Sequence, residues 1–167
     1  MVTKERFEKG MTFQQYLDQM TTNKERFLQN LQEIKIRPED REALKRFGKS
    51  LKVLVITEDW CGDALHNFPV LAKLVDGLPN VEMRVFLRDQ NPDLMDQYLN
   101  QGVYRSIPVF AFFDENMNDV TRFIERPAVV TELIDKKIRE LRQALRQQHG
   151  EDWRQATVDE IRTLLKV

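Results

Sequence analysis

The one cysteine of this chain lies in a polar segment between a predicted strand and a predicted helix. Cys61 is the middle residue of the run Trp60-Cys61-Gly62, and Asp59 and Asp63 flank it. Ligands of open α/β sheets bind at this end of a strand, and the free amides at the start of a helix favour an anion. We therefore predict that Cys61 is an exposed nucleophilic thiol, because Gly62 and the two aspartates argue against the alternative, a small buried apolar residue.

Two opposing electrostatic effects act on a thiolate at Cys61. The helix terminus stabilises the thiolate by about 0.3 to 2 kcal/mol. Asp63, at a spacing of roughly 7 Å, opposes it by 0.6 to 2.4 kcal/mol. The two effects nearly cancel, so the sequence leaves the sign open. Trp60 is predicted to form a hydrophobic shelf beside the sulfur.

Other charged side chains are candidates for the same site. Arg88 and Asp89 follow the second predicted strand, and they lie on the same side as Cys61 if that strand is parallel to the first. Together with Asp59 they could set the charge of the site, although a surface ion pair or a turn-stabilising aspartate is the alternative. His66 falls on a different helix face from Cys61, so we predict no metal site.

The elements that must hold these residues alternate between strands and helices. Apolar, β-branched runs predict strands, and periodic apolar residues predict helices. The strands are predicted at 51–57, 81–87, 109–113 and 120–124, and the helices at 62–76, 92–100 and 128–148. This order predicts an α/β fold with a central mixed four-stranded sheet, which is parallel first, ends in an antiparallel hairpin and is flanked by helices.

Further helices are predicted before and after the sheet. Thr12 can cap a helix that extends to Met20, a capping box at 22–25 starts a second helix, and Pro38 opens a third that stops at Gly48. A capping box at 157–160 starts a short tail helix, which we expect to pack through one apolar side formed by Ile161, Leu164 and Leu165. We expect a single domain over 1–167, with a helical extension (1–48), a core (49–148) and a tail (149–167).

Composition excludes several function classes. The chain has 167 residues, with 26 Lys and Arg against 27 Asp and Glu, so its net charge of -1 offers no field that would attract nucleic acid. The longest apolar runs have the length of a strand, so we expect no membrane span. One cysteine allows no internal disulfide, and charged residues stand where a secretory signal would need apolar ones. We therefore predict a cytoplasmic protein.

Several spaced motifs resemble the thioredoxin family. Trp-Cys-Gly-Asp-Ala at 60–64 is similar to the family's Trp-Cys-Gly-Pro-Cys turn, Pro69 to its helix-kinking proline, Ser-Ile-Pro at 106–108 to its cis-proline loop, and Asp-Gln-Asn-Pro at 89–92 to another loop. The resemblance covers about 49–148 and implies a thioredoxin-like fold in which Pro108 is cis and faces the cysteine. The variant motif and the helical extension look like a group of bacterial thioredoxin-like proteins.

Two departures from the family pattern affect the expected chemistry. Ala64 stands where the family has its second, resolving cysteine, so a mixed disulfide on Cys61 cannot be resolved within the chain. Val55 stands where the family has a buried aspartate that helps to deprotonate that resolving thiol. Both parts of the second half-reaction are missing together.

The resemblance therefore implies a one-cysteine thiol-disulfide oxidoreductase. Cys61 would attack a disulfide, an external thiol would resolve the product, and the substrate would rest on the groove residues Trp60, Gly62, Asp63, Ile107 and Pro108. The partner would be a protein or a low-molecular-weight thiol or disulfide, and no cofactor is expected. The main alternative is a redox-inactive binding module that holds a partner peptide in the same groove. A glutaredoxin-like protein that shares an iron-sulfur cluster is weaker, because it would need a dimer and extra thiols.

Overall fold

A four-stranded sheet forms the centre of the fold in a computed structural model, which describes residues 1–46 and 49–166. The strands are β1 (Leu51–Thr57), β2 (Val81–Leu87), β3 (Val109–Phe113) and β4 (Asp119–Ile124). Their order in the sheet is β2-β1-β3-β4. β1 is parallel to β2, and β3 is antiparallel to both β1 and β4. The predicted mixed sheet flanked by helices is confirmed.

The helices of the described residues lie before, between and after the strands. They are α1 (Lys4–Glu8), α2 (Phe13–Gln19), α3 (Lys24–Glu33), α4 (Pro38–Arg46), α5 (Gly62–Val75), α6 (Pro92–Met95), α7 (Ala128–Gln148) and α8 (Gly150–Leu165). The prediction that the helix at Pro38 stops at Gly48 falls outside the described residues, and so does the predicted packing of the Leu165 side chain.

β1 is buried on both of its faces, which is why its sequence is a continuous apolar run. Leu54 and Ile56 point into a cluster with Phe7 of α1 and Leu94 of α6. Val53, Val55 and the side chains that surround them form the opposite cluster, which contains Tyr16, Phe27, Leu65, Phe68 and Phe110. Successive strand residues face opposite sides, so these two cores hold the end of β1 between two helical layers.

The N-terminal extension is joined directly to the sheet. Met11 donates its N–H to the Val85 carbonyl at 2.9 Å and accepts the Val85 N–H at 2.8 Å, so it forms an antiparallel bridge on the edge of β2. Gly10 allows this approach, because a Cβ there would lie 2.6 Å from the Phe86 ring. Thr12 caps α2 through a capping box with Gln15, as predicted.

Three predicted helix boundaries are wrong. α3 begins after Asn23, which has a left-handed φ of 56° and no side-chain cap, because the Thr22 amide is bound elsewhere, to Asp59. α6 ends at Met95 instead of continuing to residue 100. α8 begins at Gly150, and Thr157 lies within it, with its hydroxyl donating to the Trp153 carbonyl at 2.9 Å.

Pro69 lies inside α5, where it has no N–H to donate to the Leu65 carbonyl. The side-chain amide of Asn30 on α3 makes that hydrogen bond instead, at 2.8 Å from Nδ2 to the Leu65 oxygen. The proline therefore creates an acceptor that joins the extension to the helix carrying the cysteine turn.

The chain divides into two compact units, Met1–Arg126 and Pro127–Val167. The second unit contains α7 and α8, and several of its apolar side chains are exposed, for example Leu133 at 56%, Leu141 at 60% and Leu164 at 74%. Ile161, which the sequence predicts to pack together with Leu164, is 50% exposed. Within 1–46 and 49–166, no helix is long and apolar enough to cross a membrane.

Candidate active site around Cys61

Cys61 caps the N-terminus of α5, directly after the turn that follows β1. Its Sγ accepts the Ala64 N–H at 3.5 Å, and its thiol donates to the Ile107 carbonyl at 3.4 Å. The side chain is half-buried against the core beneath it. The sulfur therefore lies between one backbone donor, the Ala64 amide at the start of α5, and one backbone acceptor, the Ile107 carbonyl.

The turn before β3 forms the opposite wall of the site. β3 is antiparallel to β1, so its first residues lie next to the last residues of β1. The Ile107-Pro108 peptide bond is cis, and both side chains are buried. Gly62, in contrast, is exposed, and a Cβ there would meet nothing within 4 Å. The two walls therefore leave an approach to the sulfur above Gly62.

Trp60 and Arg88 form a second side of the site. The Trp60 side chain is 47% exposed, and the Arg88 guanidinium lies over its ring, 4.7 Å from the ring centroid. Arg88 also pairs with Asp89, with 2.8 Å between Nε and Oδ1, and its Nη1 is 3.5 Å from the Arg105 carbonyl. Arg88 and Asp89 therefore reach the site as an ion pair in which Arg88 orients the indole.

Asp59 has a structural role that the sequence did not indicate. Its Oδ2 accepts the N–H groups of Thr21 and Thr22 at 2.8 and 2.9 Å, and its carbonyl accepts from the Asn23 side chain at 3.1 Å. The carboxylate thus anchors the segment between α2 and α3 to the cysteine turn. The Oδ2 atom of this carboxylate is occupied by backbone donors.

Asp63 is paired with a residue that the sequence interpretation missed. Arg126 Nη2 lies 3.1 Å from Asp63 Oδ2 and also contacts the Glu125 carboxylate. The opposition of Asp63 to a thiolate was therefore overestimated, because a guanidinium compensates part of its charge. The hairpin register could have revealed this partner, since Ile124 pairs with Val109 and so places the next two residues beside Pro108.

Two further titratable side chains beneath the site were also missed. Glu58 is 8% exposed, and burial raises the pKa of its carboxyl although the Asp89 N–H donates to it at 2.8 Å. Tyr16 of the extension is fully buried between Phe27 and Phe68, and burial raises the pKa of its phenol, with the charges of Asp59 and Glu58 adding to the effect. Both groups favour their neutral forms under the cysteine turn.

Ala64 and Val55, which stand where the thioredoxin pattern has its resolving cysteine and its buried aspartate, lie in the same region. Ala64 is 2% exposed in the first turn of α5, and Val55 is fully buried within β1. Among the described residues, no group of three or more His, Cys, Asp or Glu side chains is placed to hold a metal ion. The arrangement can therefore present one thiol, an apolar shelf and backbone acceptors to a substrate.

Comparison with known proteins supports the family and the fold. The thioredoxin family model matches residues 10–145. A protein of unknown function from Pseudomonas aeruginosa has the same fold, with a TM-score of 0.71 and 21% identity over 96% of this chain and 99% of the other. An HIV epitope-scaffold protein has a TM-score of 0.65 and 26% identity over 78% and 81% of the two chains. No curated protein matches the sequence.

The family match begins well before β1, at residue 10, so it includes α2, α3 and α4, which the motifs alone had placed outside the resemblance. It also spans the Cys61 turn, the Ile107-Pro108 loop and the sheet that brings them together. From this match and the geometry of the sheet, we conclude that the chain belongs to the thioredoxin family.

Proposed function

We propose that the protein is a one-cysteine thiol-disulfide oxidoreductase in which Cys61 is the nucleophile. The observation that carries this proposal is the position of Sγ, half-buried at the N-terminus of α5 and between the Ala64 amide and the Ile107 carbonyl. The amide donor and the helix terminus favour the thiolate, which is the reactive form, and the thiol gives up its hydrogen bond to the Ile107 carbonyl when it ionises.

The proposed reaction is an exchange in two steps. The Cys61 thiolate attacks one sulfur of a disulfide, the sulfur-sulfur bond breaks, and the other sulfur leaves as a thiolate that takes a proton from water. A low-molecular-weight thiol, as its thiolate, then attacks the mixed disulfide and releases Cys61. Ala64 makes this external thiol necessary. The single cysteine also fits a reducing compartment, so we place this activity in the cytoplasm.

In this proposal the groove residues hold the substrate. Trp60 offers an exposed apolar ring beside the sulfur, and the backbone of Ile107 and Pro108 offers hydrogen bonds to an extended partner. Gly62 and Asp63 border the opening, and Asp59, Arg88 and Asp89 contribute charge. The same groove supports a second candidate, a redox-inactive module that binds a partner peptide, because the buried Ala64 and Val55 remove the resolving half of the chemistry.

The test is turnover of a glutathione mixed disulfide with excess free glutathione, by the wild type and by Cys61→Ser. We expect the wild type to accumulate a mixed disulfide on Cys61, seen by mass spectrometry, and to turn over faster than the variant. Thr131→Ser, which makes a similarly small change at an exposed position of α7, is the control. Equal rates for the wild type and Cys61→Ser would contradict the oxidoreductase and leave the binding module.

A further inference from the structure

The hairpin of β3 and β4 delivers two charged residues to the cysteine turn. Val109 pairs with Ile124 in the antiparallel register, so the residues that follow β4 run alongside Pro108. The Glu125 N–H donates to the Pro108 carbonyl at 2.7 Å, and Glu125 has a left-handed φ of 67°. This conformation, which is unusual for a residue with a side chain, directs the chain so that Arg126 reaches α5.

The Arg126 side chain is largely buried against the first turn of α5. It is 20% exposed, its Nη2 is 3.1 Å from Asp63 Oδ2, and it also contacts Glu125. Its Nε is buried without a hydrogen-bond partner in the described part of the chain. Partial burial lowers the effective dielectric, so the charge of this guanidinium acts more strongly on nearby groups than a surface charge would.

The same network continues to the other wall of the site. The second oxygen of Glu125 accepts from Asn100 Nδ2 at 2.8 Å, and that amide is 3.3 Å from Ser106 Oγ. Ser106 precedes Ile107, whose carbonyl accepts the Cys61 thiol at 3.4 Å. Arg126 is thus connected to both sides of the sulfur, through Asp63 on α5 and through Glu125 on the cis-proline loop.

We propose that Arg126 is a positioning residue that sets the reactivity of Cys61. It compensates the carboxylates of Asp63 and Glu125, which would otherwise oppose a thiolate at the start of α5, and it holds the Ile107 loop against the sulfur. The inference deepens the proposed function and rests on it, because it assigns a role in preparing the same nucleophile. Arg126 acts through its neighbours and is not itself placed in contact with a substrate.

The test is alkylation of Cys61 at neutral pH, in which the thiolate displaces iodide from iodoacetamide or from the anionic iodoacetate. The chain has one cysteine, so the rate reports that site alone. We expect Arg126→Gln to slow the alkylation of Cys61 by iodoacetamide about two- to fivefold. The effect is moderate because the smaller fraction of thiolate is also the more nucleophilic one, which offsets roughly half of the loss in rate. Alkylation by iodoacetate should slow by a further factor of about three, because the uncompensated carboxylates also repel the negative charge of this reagent.

Companion variants separate an electrostatic effect from a structural one. Arg126→Lys should restore most of the wild-type rate with both reagents. Asp63→Asn should accelerate alkylation, and the double variant Asp63→Asn with Arg126→Gln should return close to the wild-type rate because one charge of each sign has been removed. Arg122→Gln on β4 changes the same residue type without a contact to Asp63 and serves as the matched control.

The inference is overturned if Arg126→Gln reacts like the wild type, or if it slows both reagents equally and Lys does not restore the rate. Should Arg126→Gln fail to fold, Arg126→Lys and Asp63→Asn still test the pairing, and the inference is then overturned if Asp63→Asn reacts no faster than the wild type. The proposed function fails separately, if Cys61 of the wild type is alkylated but exchanges with no disulfide.

Discussion

At Cys61 the sulfur has two backbone partners and an alanine where a second thiol could stand. The Ala64 amide is 3.5 Å from Sγ, so the side chain of residue 64 begins close to the sulfur, one helical turn along. This geometry is the part of the thioredoxin site that the chain retains, and it can be tested by adding the sulfur that is missing.

We expect Ala64→Cys to form a reversible disulfide with Cys61, because the cysteine turn has the geometry that such a bridge needs. Mild oxidation should protect both thiols of the variant from alkylation, and a reductant should expose them again. Val70→Cys, at an exposed position further along α5, should leave both thiols reactive and is the matched control. Persistent free thiols in oxidised Ala64→Cys would show that the turn does not have thioredoxin geometry.

The same variant should remain a poor disulfide reductase. Val55 is fully buried and cannot help to deprotonate the new thiol, so adding Val55→Asp to Ala64→Cys should raise the activity. Burial of that aspartate costs a few kcal/mol, about 2 to 7 for an unpaired polar group, so folding must be verified first by circular dichroism.

Glu58 gives the fold a pH dependence with a definite sign. Burial raises the pKa of this carboxyl above its ordinary value of 4.5, so the folded protein holds the proton more tightly than the unfolded chain does. The contribution of Glu58 to the free energy of unfolding is therefore fully present below pH 4.5. It is lost as the pH rises through the pKa that the carboxyl has in the folded protein. Glu58→Gln keeps an acceptor for the Asp89 N–H and should lack this loss.

The measurement is the urea unfolding midpoint from pH 4 to 8. The stability of Glu58→Gln relative to the wild type should increase with pH and then level off. Glu115→Gln, on the exposed turn between β3 and β4, is the matched control. A constant difference between Glu58→Gln and the wild type across this range would contradict the assigned effect of burial.

Among the elements, α3 and α5 are joined by the hydrogen bond that Pro69 makes possible. We expect Asn30→Ala to lower the free energy of unfolding by about 1 to 3 kcal/mol, because it leaves the Leu65 carbonyl without its partner. Gln29→Ala, the exposed neighbour on α3, should change it by less than about 0.5 kcal/mol. Both values follow from chemical denaturation.

A double-variant cycle tests the cause of that loss. Pro69→Ala restores an N–H within α5 that can reach the Leu65 carbonyl, so Asn30→Ala should cost less in the Pro69→Ala background than in the wild type. An equal cost in both backgrounds would show that Asn30 stabilises the protein by some other contact.

The elements differ in how far the sequence determines them. β1 was predictable because a strand buried on both faces must be apolar throughout, and the cysteine turn because it joins that strand to a capped helix. The start of α3 was not, because Thr22 fits a capping box locally but its amide is bound by Asp59 from across the fold. Arg126 was missed for a similar reason, since its partner Asp63 is close only after β3 and β4 pair.

At the scale of the whole molecule, the exposure of the apolar side chains of α7 predicts that their replacement has little effect on the free energy of unfolding. Leu133→Gln and Leu141→Gln should each change the free energy of unfolding by less than about 0.5 kcal/mol, because both side chains are more than half exposed. Leu54→Ala in the core should cost about 2 to 5 kcal/mol and provides the comparison. Larger losses at the α7 positions would mean that these side chains are covered in solution.

The long stretch of chain between Met11 and Val85, which pair at the edge of the sheet, affects the order in which the protein folds during synthesis. Met11 leaves the ribosome early, but Val85, with which it exchanges two backbone hydrogen bonds, is synthesised much later. Contacts between residues so far apart form slowly, because the intervening chain must first be ordered. The extension can therefore complete the edge of the sheet only after β2 exists. In pulse-labelling during refolding, amide protection at Met11 should appear no earlier than protection within β2, and earlier protection would show that the extension folds by itself.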